Sequence, residues 1–197
     1  MVKKIIITGG LGYIGTELCK IYSGVSWHHK ITVIDNRFIS ERVNQIRNWN
    51  MEFIHGDILN EELVNKVFKD ADVVHHLAGV TDVPRTKSEA TDEKNDKIKL
   101  VGEKGTENIL NAINKNCKII FPSTHVVYEG VNEVRTDIKE HEKTQPVLSY
   151  SSSKAVNEKQ LKESGKRYII LRLGSVYGYS TDTARIDIMP NLFSKIS

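Results

Sequence analysis

Residues 3–15 read KKIIITGGLGYIG. Three isoleucines and a threonine in a row fit a strand buried on both faces, because β-branched side chains pack closely on a pleated surface. The run breaks at paired glycines, which predicts a strand over 3–8, a turn, and a helix from Tyr13 to about Tyr22. The glycines fall as Gly10-x-Gly12-x-x-Gly15 and equally as Gly9-x-x-Gly12-x-x-Gly15, with Tyr13 and Ile14 inside the motif. Glycine permits a tight turn and lets a pyrophosphate approach backbone N–H groups, and the helix N-terminus that follows favours the negative charge. Asp35 stands twenty residues after Gly15 and closes a second apolar run, KITVID. A carboxylate at that distance accepts bonds from an adenosine ribose and repels a 2′-phosphate, so NAD is favoured over NADP. Arg37, two residues on, could instead receive that phosphate.

The same punctuation continues outward. Strands are predicted over 30–35, 51–55 (MEFIH), 71–78 (ADVVHHLA), 117–123 (CKIIFPS) and 167–173 (RYIILRL). Helices are predicted over 60–70, with Asn60 as cap and two acids in the first turn, and over the stretch from Ser149 to a stop at Gly165. After Pro84 and a polar stretch, a long helix carries Ile98, Val101, Ile109, Leu110 and Ile113 on one stripe. Strands alternating with helices give an α/β fold, a Rossmann-type doubly wound parallel sheet covered on both faces.

Composition narrows the classes. The 197 residues carry 28 basic and 25 acidic side chains, interspersed, with a net charge of +3, so no nucleic-acid footprint is present. Nothing approaches the ~20 apolar residues that span a membrane, and the N-terminal apolar run is too short for a signal peptide. Cys19 and Cys117 lie far apart and fit no metal spacing; they read as reduced, buried thiols of a cytoplasmic protein.

Ligands in this architecture bind at the carboxyl ends of the strands. Asp57, after the third strand, could bond an adenine amino group or simply cap the helix at Asn60. Leu77, Ala78 and Gly79, after the fourth, offer small residues where a cofactor passes close to backbone. His75 and His76 read as core or edge histidines, since no second pair of ligands accompanies them. Ser123 and Thr124, after the fifth, place hydroxyls at the sheet end, where they serve either chemistry or a turn. Tyr150 and Lys154 stand four apart in LSYSSSKA, on one helical face.

In this order TGGLGYIG, VIDN, HGDI, HHLAG, GTENIL, STHVVY, YSSSK and LRLGSVYG resemble the extended short-chain dehydrogenase/reductase family, in particular its nucleotide-sugar epimerases and dehydratases. The resemblance runs from Lys3 to about Gly178. It implies that Tyr150 is the catalytic acid/base, Lys154 its partner and Thr124 the catalytic hydroxyl. It further implies that Gly9, Gly12, Gly15, Asp35, Asn36, Asp57 and Ile58 contact NAD. A tyrosine of ordinary pKa, about 10, is a poor base at neutral pH. A lysine charge ~5 Å away at an effective dielectric of ~20 favours the phenolate by roughly 3 kcal/mol.

The resemblance implies an NAD-dependent nucleotide-sugar 4-epimerase similar to UDP-glucose 4-epimerase, working on a UDP-sugar as a homodimer. The dimer pairs the helix near residues 93–115 with the catalytic helix. The alternatives are an NAD(P)H-dependent nucleotide-sugar reductase or dehydrogenase and a non-catalytic NAD-binding module. Several positions depart from the family pattern. His125 and Val126 replace the Asp-Glu that follows the threonine in dehydratases, which argues against dehydration. Gly102 stands where an asparagine is usual, Ser175 where another is, and Tyr179 where a proline is. Family members continue well past Ser197. The expectation is therefore a fragment, with an NAD-binding domain over 1–178 and only the start of a small substrate-binding region over 179–197, and with apolar surface left exposed.

Overall fold

The computed structural model describes residues 1–80, 87–178 and 180. The expected substrate-region start at 179–197 therefore lies outside the described residues, apart from Ser180, and so do Pro84 and Tyr179. Six strands form one parallel sheet in the order β3-β2-β1-β4-β5-β6. They are β1 (Lys4–Thr8), β2 (Lys30–Asp35), β3 (Glu52–His55), β4 (Val73–His76), β5 (Lys118–Thr124) and β6 (Arg167–Leu173). All six were read from the sequence, because each central strand is a short β-branched run buried on both faces.

Helices cover the sheet. α1 (Tyr13–Ser23) and α2 (Ser40–Asn48) pack on one face with Ile5, Ile7, Val33, Val43 and Ile46 in the core. α3 (Glu61–Phe68), α5 (Gly105–Ala112) and α6 (Ser149–Glu163) cover the other, over Ile6, Val74, Ile119 and Phe121, and α4 (Asp92–Lys99) packs on α6. Asn60 caps α3 as expected, its side chain accepting from the Leu63 N–H. Gly165 ends α6 with φ +66°, a left-handed turn that glycine adopts without strain.

Two features differ from the sequence reading. α2 was not predicted; it is polar overall, its N-cap Ile39 makes no side-chain cap bond, and only Val43 and Ile46 are buried. The long helix is interrupted by a π turn, Leu100–Lys104, between α4 and α5. Ile98, Ile109, Leu110 and Ile113 are nevertheless buried, so the predicted stripe faces the core on both sides of the turn.

β6 is an edge strand. Tyr168, Ile169 and Leu171 are each about two-fifths exposed. Both cysteines are free and buried, and burial pushes their thiols up, Cys19 to about 12 and Cys117 to about 11, so both stay protonated. No helix among the described residues is long and apolar enough to cross a membrane, and no metal-ligating cluster occurs among them.

Candidate active site

β1 pairs with β2 on one side and β4 on the other, so the winding of the sheet reverses between β1 and β4. A doubly wound sheet opens a crevice at such a switch point, beyond the carboxyl ends of its strands. Here the crevice is a cleft of about 590 Å³. Its lining includes Gly9, Gly12, Tyr13, Ile14 and Gly15 from the loop after β1, and Leu77, Ala78 and Gly79 from the loop after β4. Ser123 and Thr124 from β5, and Tyr150 and Lys154 from α6, complete it.

The glycines are required by geometry. Gly9 has φ +67°, and a Cβ there would lie 2.8 Å from the Ala78 nitrogen. A Cβ on Gly15 would lie 2.7 Å from the Gly10 Cα. Side chains at these positions would force apart the backbone that shapes the cradle at the start of α1. This is the shape a pyrophosphate needs to reach N–H groups at a helix N-terminus.

Beside the glycine loop lie the ends of β2 and β3. Asp35 is buried; it accepts from the Leu11 N–H (3.0 Å), which ties it to the glycine loop, and from the Arg37 N–H (3.0 Å) and Nε (3.2 Å). Arg37 thus lies against Asp35 and bonds its carboxylate. Asn36 donates to Asp57 (3.1 Å), joining the ends of β2 and β3. Asp57 also accepts from the Leu59 N–H (2.9 Å), while Asn60, not Asp57, supplies the side-chain cap of α3. Ile58 presents no side chain to the cleft: it is buried in the core, and its carbonyl accepts from Asn108.

At the other end, Lys154 and Tyr150 share a face of α6 as their spacing predicts. Lys154 Nζ lies 5.9 Å from the centre of the Tyr150 ring, 4.3 Å from that of Phe121, and donates to the Pro122 carbonyl at 2.9 Å. Burial pulls its ammonium down to about 8. Thr124 Oγ1 accepts from the Val126 N–H (3.3 Å), so the turn role and a place in the cleft coexist. Ser123 turns its hydroxyl to Glu158 (2.7 Å). Glu158 in turn takes a two-point bond from Arg172, Nε at 2.9 Å and Nη2 at 2.6 Å. Burial pushes the Glu158 carboxyl up, but the bonds and charge of Arg172 and the Ser123 hydroxyl outweigh it and hold it below the usual range.

His76 is the residue the sequence left blandest. It is buried between two threonine hydroxyls, Nδ1 to Thr8 and Nε2 to Thr106, each at 3.0 Å. Thr106 donates to the Gly102 carbonyl (2.7 Å), so it must accept from His76, whose proton therefore sits on Nε2. Nδ1 then accepts from Thr8, which itself accepts from the Ala78 N–H (3.0 Å). The Gly102 carbonyl, in the π turn, also accepts from Asn157 of α6 (3.0 Å). Burial first, then the Lys154 charge, pull His76 down to about 3, so the ring is neutral. His75 is also a core histidine, paired with the Tyr22 hydroxyl at 2.8 Å. Thr106 and Asn157 were not singled out from sequence, although Thr106 lies within the GTENIL stretch.

A glycine cradle and a Tyr-x-x-x-Lys pair in one cleft, with an acidic strand end bonded to the glycine loop, mark a dinucleotide-binding α/β protein. Residues 5–197 match the family model for the NAD-dependent epimerase/dehydratase family, and the chain belongs to that family. NAD, the cofactor called for by the sequence, is the family's. The chain is 29% identical over 199 residues to dTDP-D-glucose 4,6-dehydratase of Dictyostelium discoideum, covering 90% of this chain and 44% of that one. It is 33% identical over 142 residues to CDP-paratose 2-epimerase of Salmonella typhi, covering 67% and 40%. Among solved structures it is similar to UDP-glucuronic acid 4-epimerase of Bacillus cereus, with a TM-score of 0.79 at 26% identity, covering 95% of this chain and 60% of that one. That structure holds NAD and a fluorinated UDP-glucuronic acid. The chain thus spans about half the length of the relatives it matches.

Proposed function

We propose that the protein is an NAD-dependent nucleotide-sugar epimerase acting at C4, with a UDP-sugar the favoured substrate. The observation that carries the reading is the convergence of Thr124, Tyr150 and Lys154 with the glycine cradle in one cleft. The residues present fit the cofactor: the loop after β1 would receive the pyrophosphate, Asp35 the adenosine ribose, and Lys154 the nicotinamide ribose. NAD, when bound, supplies a hydride acceptor that can return the hydride.

The chain's own residues handle the proton. Tyr150 takes it from the sugar hydroxyl as that carbon is oxidised and gives it back on return. Thr124 donates a hydrogen bond to the same oxygen. Lys154, charged, favours the phenolate, since an opposite charge nearby stabilises the ionised form. His125 and Val126 in place of Asp-Glu support epimerisation over dehydration. His125 Nδ1 donates to the Leu173 carbonyl at 3.1 Å, spanning β5 and β6 at the cleft mouth.

The test is NMR on protein from the complete reading frame, given UDP-glucose/galactose and their N-acetyl forms without added cofactor. Interconversion of axial and equatorial C4 signals is expected. Tyr150→Phe should lower turnover by two or more orders of magnitude, as expected for loss of a general base, and leave NAD affinity within a few-fold. Near wild-type turnover in that variant refutes the mechanism. We also propose a homodimer through α4, the π turn and α6, supported by Leu100 and Val156 exposed on those helices. A monomeric mass at micromolar concentration would refute that.

A further inference from the structure

The helix that carries Tyr150 begins at a residue that cannot cap it. Leu148 occupies the N-cap of α6 and has no polar side chain, so the helix's own sequence leaves its first N–H groups to other partners. An acceptor comes from elsewhere in the chain. Glu129 ends the 3₁₀ turn that follows β5, its N–H donating to the Val126 carbonyl at 3.1 Å. Its Oε1 accepts from the N–H groups of Val147 (2.8 Å) and Leu148 (2.7 Å) and from the Ser151 hydroxyl. Ser151 Oγ also lies 2.8 Å from the Leu148 carbonyl, so its single proton is shared between the two acceptors and ties the first turn of the helix to the same point.

The carboxylate is suited to this place. It meets the positive end of the α6 dipole, where negative charge is favoured. Burial pushes the Glu129 carboxyl up, but the three donors outweigh it and hold it below the usual range. The residues it grips, 147, 148 and 151, flank Tyr150 on both sides. The turn it belongs to starts at Thr124, and Glu129 itself lines the cleft. One side chain therefore joins the strand end that presents the threonine to the helix turn that presents the tyrosine. Deeper along α6 other bonds take over: Asn157 to the Gly102 carbonyl and Glu158 to Arg172.

We propose that Glu129 is a positioning residue, whose carboxylate caps the entry to α6 through the Val147 and Leu148 N–H groups and fixes Tyr150 against Thr124. The proposal rests on the catalytic reading of Tyr150 given above. Glu129→Ala should lower kcat by about tenfold or more, as small misplacements of a catalytic group do, with NAD affinity within twofold of wild type. Amide hydrogen exchange at residues 147–152 should quicken by about tenfold on loss of the cap. Glu129→Gln keeps an oxygen that accepts from Val147 and Leu148, and should restore kcat to within about threefold of wild type.

Wild-type kcat in Glu129→Ala overturns the proposal, even if exchange quickens, because the cap would then serve the fold alone. Unchanged exchange at 147–152 overturns it as well. If the wild-type protein turns over no sugar nucleotide, the catalytic reading fails on that result alone. The exchange measurement still decides the cap: quickening sustains it and no change overturns it.

Discussion

Replacing Lys154 by methionine keeps most of the side chain's volume but deletes the ammonium that lies 4.3 Å from the centre of the Phe121 ring. In the folded chain burial brings that ammonium down from 10.5 to about 8. A lowered lysine pKa means that the folded state binds fewer protons than the unfolded state between those two values. Stability therefore rises with pH across that window, and the cost of burying the charge is full below it. At pH 7 the cost comes to about 3 kcal/mol. The bond to the Pro122 carbonyl, lost in the variant, returns about 1 kcal/mol of that.

Lys154→Met should thus stabilise the protein by about 2 kcal/mol at pH 7, or roughly 4–8 °C in Tm for a chain of this size. By pH 10 the charge cost falls below about 1 kcal/mol, and the advantage should vanish. The assay is urea or thermal unfolding of both proteins at pH 7 and pH 10, without added cofactor, read as variant minus wild type. A variant less stable than wild type at pH 7, or equally favoured at both pH values, would refute the reasoning. The expected result would mark Lys154 as a group kept for chemistry against the interest of the fold.

Two other predictions concern the cradle and the sheet end. Gly15→Ala places a Cβ 2.7 Å from the Gly10 Cα, where only backbone can give way, so NAD affinity should fall by about tenfold or more; an unchanged Kd by calorimetry would count against the cradle. Arg172→Met leaves the buried Glu158 carboxylate without its main partner and should cost about 3–5 kcal/mol at pH 7. Because Glu158 is held below the usual carboxylate range, the wild-type pair's contribution is present above the unfolded pKa and is lost as pH falls through the folded value. The variant's deficit should therefore shrink near pH 4, and a deficit equal at pH 4 and pH 7 in urea unfolding would show the pair is not its source.

The parts of the fold that were legible in the sequence are those whose cause is local. Each central strand is a short β-branched run, and the glycine spacing is set by a turn a few residues long. Asn60 caps the helix that starts beside it, and Tyr150 and Lys154 meet because four residues are about one helical turn. α2 escaped because its apolar content is two buried residues and its N-cap lacks an acceptor, so neither periodicity nor capping announced it. The π turn escaped because an extra residue in a helix leaves composition unchanged. Glu129 was invisible for another reason: it serves a helix turn some twenty residues away in the chain, and only folding brings the two together. Ile58 falls on a cofactor-contacting position by resemblance, yet its side chain belongs to the core.

The bonds through His76 have a direction as well as a path. One end is the Ala78 N–H, which can only give a proton, and the other is the Gly102 carbonyl, which can only receive one. Thr8, His76 and Thr106 between them could each be turned round alone in isolation. Held between two ends of fixed sense, they have a single consistent orientation. The loop after β4 and the π turn are thus joined by a one-way wire, and any break in it leaves a buried donor or acceptor stranded at the point of the cut.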